Sequence, residues 1–435
     1  MVQTVIGETK EKSFQLWSNI MVAICFVTGI VAYGGGRYSF GVFIKPMTEA
    51  LGWTRTQISL GATINLICYA IASPIVGRML DKWGVRHTVL IGSVIVGSGF
   101  CGMYFINSLW VFYLLFGVVA ALGINMVGRI AQATIVANWF VKKRGLMMGV
   151  TALSIGIGTT LMAPAANAVL LSIGWQSAFL FLGGMFFLFI FFPVFFLVKG
   201  KGLPEDRGFG PDGISIEAPS AKTQSTTAVN KNSEEGWTAS EALRTVTLWG
   251  IFVAMGLSYM ADYIVLFHGI PCFQDRGLSS GIATSILATA TLVSCIGRLG
   301  FGWLADRLNM RVCMALMFGF QIFASPLLIM GGSNTTLLYT FAALWGIGYG
   351  AFATLMPAIS SQYFGRLQFG TIYGFVTMAT VIGGAMGSTL GGWIYDVKGN
   401  YDLAWYACIA MWVVACIVVF AFVRKPVRGR LIDRA

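Results

Sequence analysis

Twelve stretches of this chain are apolar over the roughly 20 residues a helix needs to cross a bilayer, at 17–44, 54–80, 87–106, 108–137, 145–172, 175–198, 246–270, 281–304, 311–331, 335–363, 370–394 and 402–423. In hydrocarbon every backbone N–H and C=O must be satisfied within the protein, so such stretches read as helices. The composition agrees: 57% of residues are hydrophobic and 11% charged, against about 25% charged in ordinary soluble domains. The expected fold class is therefore an all-α integral membrane protein with twelve transmembrane helices in two sets of six.

The basic residues give that array an orientation. With both termini on one side, 22 of the 29 Lys and Arg residues fall on that side, and only Lys45, Arg55, Arg276 and Lys398 on the other. The positive-inside rule then places both termini in the cytoplasm of a multi-pass protein of the cell (plasma or inner) membrane. It also explains the net charge of +12 as a topology device, so no nucleic-acid partner is expected. Lys10 and Lys12 precede the first apolar run without a small-residue cleavage site after it, which reads as a cytosolic tail rather than a cleaved signal peptide.

Between the sets, 199–245 is rich in Ser, Thr, Pro, Gly and charge. It reads as a cytoplasmic tether with a short amphipathic piece at Glu234–Arg244. The expected domains are thus an N-terminal six-helix bundle (1–198), a linker (199–245) and a C-terminal six-helix bundle (246–435). The halves repeat one another. Gly77-Arg78-Met79-Leu80-Asp81-Lys82 returns as Gly302-Trp303-Leu304-Ala305-Asp306-Arg307, and Trp139-Phe140 with Gly145-x-x-x-Gly149 returns as Tyr363-Phe364 with Gly370-x-x-x-Gly374. Both landmarks share an offset of about 225 residues, the signature of parallel six-helix repeats with a substrate site between them.

Few ionisable residues lie within the apolar runs: Arg37, Arg129, Arg298 and Asp262. Behind Arg298, Ser294, Thr291, Leu287 and Thr284 follow at three- and four-residue steps, so most of that helix face is polar. A charge at bilayer depth costs at least ~2.5–3.5 kcal/mol and faces a cavity, a partner or a substrate. Asn125, Arg129 and Gln132 share a face of the fourth helix, Ser258, Tyr259, Asp262 and Tyr263 cluster on the seventh, and Asn65, Tyr69 and Ser73 on the second. Tyr33 and Arg37 flank Gly34-Gly35-Gly36, a run that should loosen the first helix. Three arginines against one acid make an electropositive cavity, and a guanidinium fork suits a carboxylate. The candidate substrate-binding residues are Arg298, Arg37, Arg129, Tyr38, Asn125, Tyr263 and Asn65, with Asp262 as proton carrier if desolvated.

Several classes are disfavoured. No metal-ligand cluster, nucleophile elbow, phosphate-binding loop or dinucleotide fingerprint is present, which argues against an enzyme. The eight cysteines form no CxxC pair and there are two histidines, so no cofactor or metal is expected. Cation-drug exporters need buried acids, which are scarce. A channel or a membrane sensor is the remaining rival.

GRMLDKWGVRHT (77–88) and the weaker GWLADRLNMR (302–311) resemble the two signatures of the major facilitator superfamily. That resemblance implies a conformational clasp built on Gly77, Asp81, Lys82, Arg86, Gly302, Asp306 and Arg307. Asp81 is expected to pair with basic residues of the facing bundle in one conformation only. YGGGRYSFGVFIKPMTEALGWTRTQIS (33–59), NWFVKKRGLMMG (138–149) and the arginine of helix 8 resemble the monocarboxylate transporter and oxalate/formate antiporter branch. This implies transport of a small carboxylate, lactate-like by preference, with a proton or a counter-anion; a monomer is expected. Arg298 falls at the branch's carboxylate-binding arginine. Three positions depart from the branch. The stretch 370–392 lacks the helix 11 lysine of oxalate exchangers, with Thr380 near that place. Ser294 stands where animal relatives have aspartate. Tyr38, beside Arg37, stands where they have lysine.

Overall fold

The computed structural model describes residues 2–213 and 236–427, except for the side chains at 2–10, 38, 55 and 56. Among the described residues, eleven helical spans are long and apolar enough to cross a membrane. One of them, Gln57–Phe105, has 49 residues. At 1.5 Å per residue it would reach about 70 Å, more than twice the ~30 Å hydrocarbon core. It is broken at Gly84, whose φ of 82° and ψ of 169° no helix accommodates. A positive φ is a glycine's conformation. The described residues therefore make the twelve crossings expected, α1 to α12.

In the first half these are α1 (Glu11–Leu51), α2 and α3 (55–83 and 85–102), α4 (Leu109–Trp139), α5 (Arg144–Ile173) and α6 (Trp175–Leu197). The second half has α7 (Val246–Asp275), α8 (Ser280–Ala305), α9 (Met310–Met330), α10 (Thr335–Phe364), α11 (Phe369–Lys398) and α12 (Asp402–Phe422). Among the described residues π-helix interrupts α6 at Phe187–Phe191, and α1 and α4 are irregular as well. α1 changes to π-helix at Ile30–Gly35 and to 3-10 helix at Tyr38–Phe43, so the glycine run does loosen it beside Arg37. α4 carries a π stretch at Tyr113–Ala120 and breaks at Gly128, where ψ is −146°.

The halves meet along α2 with α11 and α5 with α8. Small residues let the backbones touch, as membrane helix contacts require. A methyl group on Gly77 would overlap the Gly370 carbonyl, and one on Gly145 would lie 2.5 Å from the Gly302 oxygen. Beside these contacts stand the two signature aspartates. Asp81, ending α2, accepts bonds from the Gly370 N–H (2.8 Å), the Thr371 N–H (2.7 Å) and the Thr371 hydroxyl (2.6 Å) at the start of α11. Asp306, ending α8, accepts from the Gly145 (2.7 Å) and Leu146 (2.9 Å) N–H groups at the start of α5. Each half thus caps a helix of the other.

This corrects the expected clasp. The hydrogen-bond partners of Asp81 and Asp306 are groups at the positive dipole end of a helix, not basic side chains, although the Arg144 charge of the facing half also acts on Asp306. Lys82 is exposed. Arg86 donates to the Phe195 carbonyl of α6 at 3.1 Å, and Arg307 lies over the ring of Trp303 on its own helix. The cations that do cross are others. Arg144 donates to Ser361 O at the end of α10 (3.3 Å), and Arg366 to Asn138 O at the end of α4 (3.0 Å). Positive groups at helix C-termini complete the logic that the aspartates begin. Burial pushes the Asp306 carboxyl above its ordinary pKa while the two N–H bonds pull it back. The nearby Arg144 charge pulls in the same direction as those bonds.

The linker's described parts are docked, against the expected tether. Lys201 O accepts from the Val85 N–H (2.9 Å), Gly202 O from the Trp139 indole (2.9 Å), and the Asp212 carboxylate from the Val141 (3.0 Å) and Lys142 (2.9 Å) N–H groups. Residues 199–213 therefore strap the terminus-bearing end of the first half. On the second half, the Trp237 N–H binds Phe364 O (2.7 Å) ahead of a short capped helix, Ala239–Leu243. Of the amphipathic piece expected at 234–244, residues 236–244 are described and 239–243 are helical.

Candidate functional site: a cavity between the halves

With the terminus-bearing end sealed, a cavity of about 420 Å³ lies between the halves and reaches toward the opposite end. The first half supplies Arg37 and Phe40 from α1, Ala62, Asn65 and Leu66 from α2, Phe116 from α4, and Ile155, Gly156 and Thr159 from α5. The second supplies Tyr263, Leu266 and Phe267 from α7, Thr291 and Arg298 from α8, and Tyr349 from α10. No carboxylate is among these lining residues.

Arg298 is 5% exposed. Its backbone is clamped, because Thr354 Oγ1 donates to Arg298 O at 3.1 Å and Gly149 of α5 packs against the same carbonyl. Its Nη1 donates across the interface to Ala152 O (3.2 Å), while Nε is buried without a hydrogen-bond partner. A buried unmade bond of this kind costs about 1–3 kcal/mol, more on a charged group.

Arg37 faces the same cavity, its guanidinium 4.8 Å from the centroid of the Tyr69 ring. The two arginines thus share one anion-attracting space, although they come from opposite halves. Asn65 lines it with its amide spent on Phe116 O (2.7 Å). Tyr263 stacks on Phe267 with centroids 5.5 Å apart.

Arg129 sits deeper, toward the sealed end. It borders a separate space of about 20 Å³ with Gln132, Thr151, Ala152 and Tyr373, and Ile155 walls both spaces. The Arg129 N–H donates to Tyr33 Oη (2.9 Å) and its Nη2 to Ala353 O of α10 (3.3 Å). The break at Gly128 makes Arg129 the first residue of a new helical segment, so its N–H is free to take the tyrosine.

Two other expected residues lie elsewhere. Asn125 is fully buried and gives its amide to Tyr69 O (2.7 Å) and Ser73 Oγ (2.9 Å), bracing α2 against α4 rather than facing the cavity. Asp262 is fully buried within the second half, accepting from Gln321 Nε2 of α9 at 2.7 Å, and lines neither space. The side chain of Tyr38 lies outside the described residues. Sequence reasoning passed over Phe40, Phe116, Thr159, Phe267 and Tyr349. The four-residue step from Tyr263 to Phe267 was a usable signal, since it places both rings on one face.

Two helical halves, cross-capped at one end around a central cationic cavity, define a membrane transporter rather than an enzyme. The sequence model of the Major Facilitator Superfamily matches residues 26–337 and 314–434, and the chain belongs to that family. It is 24% identical over 386 residues to the "Oxalate:formate antiporter" of Oxalobacter formigenes, covering 86% of this chain and 84% of that one. It is 24% identical to "Monocarboxylate transporter 12" of Mus musculus, covering 90% and 82%. Among solved structures, the proton:xylose symporter XylE aligns with a TM-score of 0.71 at 12% identity over 94% of this chain and 97% of that chain. FucP in the outward conformation aligns at 0.69 with 14% identity over 92% and 97%. These likenesses confirm the fold, and the sequence relatives agree with the branch resemblance.

Proposed function

We propose that the protein moves a small organic monocarboxylate across the cell membrane by alternating access, with its termini in the cytoplasm and Arg298 holding the carboxylate. The observation that carries this reading is the buried Arg298 on the wall of a cavity without a lining carboxylate. A carboxylate arriving there competes with Ala152 O for Nη1, and Ala152 belongs to the opposite half. Substrate binding thereby touches the α5–α8 seam on which the sealed end depends, which gives it a differential grip on the two states.

Counterflow in proteoliposomes tests the reading: labelled carboxylate should accumulate against unlabelled carboxylate inside, which needs alternating access. Arg298→Lys should weaken affinity at least about tenfold, or about 1.4 kcal/mol, because an ammonium cannot make the paired fork contact. Retention of full affinity in that variant would exclude the role. Proton coupling is part of the proposal, with Asp262 as carrier. Asp262→Asn should abolish the pH dependence of uptake while changing carboxylate affinity little, since Asp262 lines neither space. A second reading, exchange of a dicarboxylate, is favoured by Arg37 on the same cavity. There, Arg37→Gln would weaken dicarboxylates far more than monocarboxylates.

A further inference from the structure

Resting on that reading, we propose that the transported acid carries a bulky apolar tail, aryl or branched alkyl, and that the aromatic walls flanking Arg298 select it over two- and three-carbon acids. The argument comes from what surrounds the anion site. On the first half, Phe40 and Phe116 form a stacked pair with centroids 4.1 Å apart and planes 19° from parallel. On the second, Tyr263 and Phe267 stack along one face of α7. Leu66 and Leu266 fill the space beside them on the two sides. Apart from the two arginines, the polar side chains of the lining are one asparagine, two threonines and two tyrosines.

A lactate-sized acid has polar groups on nearly every carbon and occupies the room of a few waters, each about 30 Å³ in the liquid. Within about 420 Å³ it would satisfy Arg298 and leave the exposed ring of Phe267 in contact with water. A tail that reaches this ring removes its apolar surface from water, a gain that grows with the area covered. Rings also favour offset or edge contacts with one another, which such walls offer to an aryl tail. The pocket therefore has the usual form of a small-molecule site, mostly apolar with a few polar groups that fix orientation.

The experiment compares 3-phenylpropanoate, propanoate, lactate and 3-phenylpropanamide on the purified full chain, by thermal shift and by counterflow. Phenylpropanoate should bind at least about tenfold tighter than either short acid, and the uncharged amide should lose most of that affinity. Phe267→Ala should narrow the gap between aryl and short acids to about threefold or less. Phe267 is 59% exposed, so its replacement spares the fold. Tyr263→Leu, which keeps apolar bulk and removes the ring, should narrow the gap less. Lactate binding as tightly as phenylpropanoate would overturn this inference and leave the carboxylate reading standing. If the amide binds as well as the acid, the carboxylate reading fails, and this inference with it. If none of the acids binds, both fall.

Discussion

At the scale of single residues, what each polar side chain does depends on whether its hydrogen bonds are already used. Asn125 spends its amide on Tyr69 O and Ser73 Oγ. Asn125→Ala should therefore lower stability by about 1–3 kcal/mol through the loss of two buried hydrogen bonds, while Tyr69 O keeps the Ser73 hydroxyl as a donor. The readout is a lower unfolding midpoint with little change in carboxylate affinity. Arg298 keeps an unspent donor and lines the cavity, so its replacement should do the reverse. The sequence showed that both belong to polar faces of otherwise apolar helices, because a period of three to four is visible in the letters. It did not show which face looks into the cavity. That depends on how α4 rotates against α2, and the break at Gly128 resets that rotation within the helix.

At the scale of elements, the exchanged caps set the stability of the sealed end. Replacing Asp306 by Asn keeps an acceptor but removes the charge facing the dipole of α5, a loss of about 0.3–1 kcal/mol. Asp306→Ala removes the cap outright, about 0.5–2 kcal/mol. A cysteine placed at Ala133, beside the deep space near Arg129, should accordingly react faster with thiol reagents in Asp306→Ala than in the parent, by about fivefold. Asp81→Ala should act in the same direction. The repeat at a 225-residue offset foretold two equivalent locks. The partners were hidden because a backbone N–H has no letter of its own and is offered wherever a helix begins. The linker strap escaped for a like reason: two of the acceptors that fix it are the carbonyls of Lys201 and Gly202, and the third, the Asp212 carboxylate, is met by backbone N–H groups.

At the scale of the whole molecule, the twelve crossings, the duplication and the central arginine were legible because hydrophobic length and intramembrane charge are composition-level signals. The conformation was not, since one sequence serves every state of a transporter. The structure holds the state sealed at the terminus-bearing end. A cysteine at Thr291, on the cavity wall, should thus be reached by a membrane-impermeant maleimide from the side opposite the termini. Saturating carboxylate should slow that labelling, and labelling faster from the terminus-bearing side would contradict the assigned state.

The exchanged caps carry one more consequence. When the halves part at the sealed end, Gly145, Leu146, Gly370 and Thr371 lose their carboxylate acceptors together, and Asp81 and Asp306 lose their donors. Water must supply every replacement, so opening that end is a hydration step with a definite appetite for solvent. Osmolytes excluded from protein surfaces favour the drier state. Raising sucrose equally on both sides of the membrane should slow turnover of the parent more than that of Asp81→Ala with Asp306→Ala, in which the carboxylates are already gone.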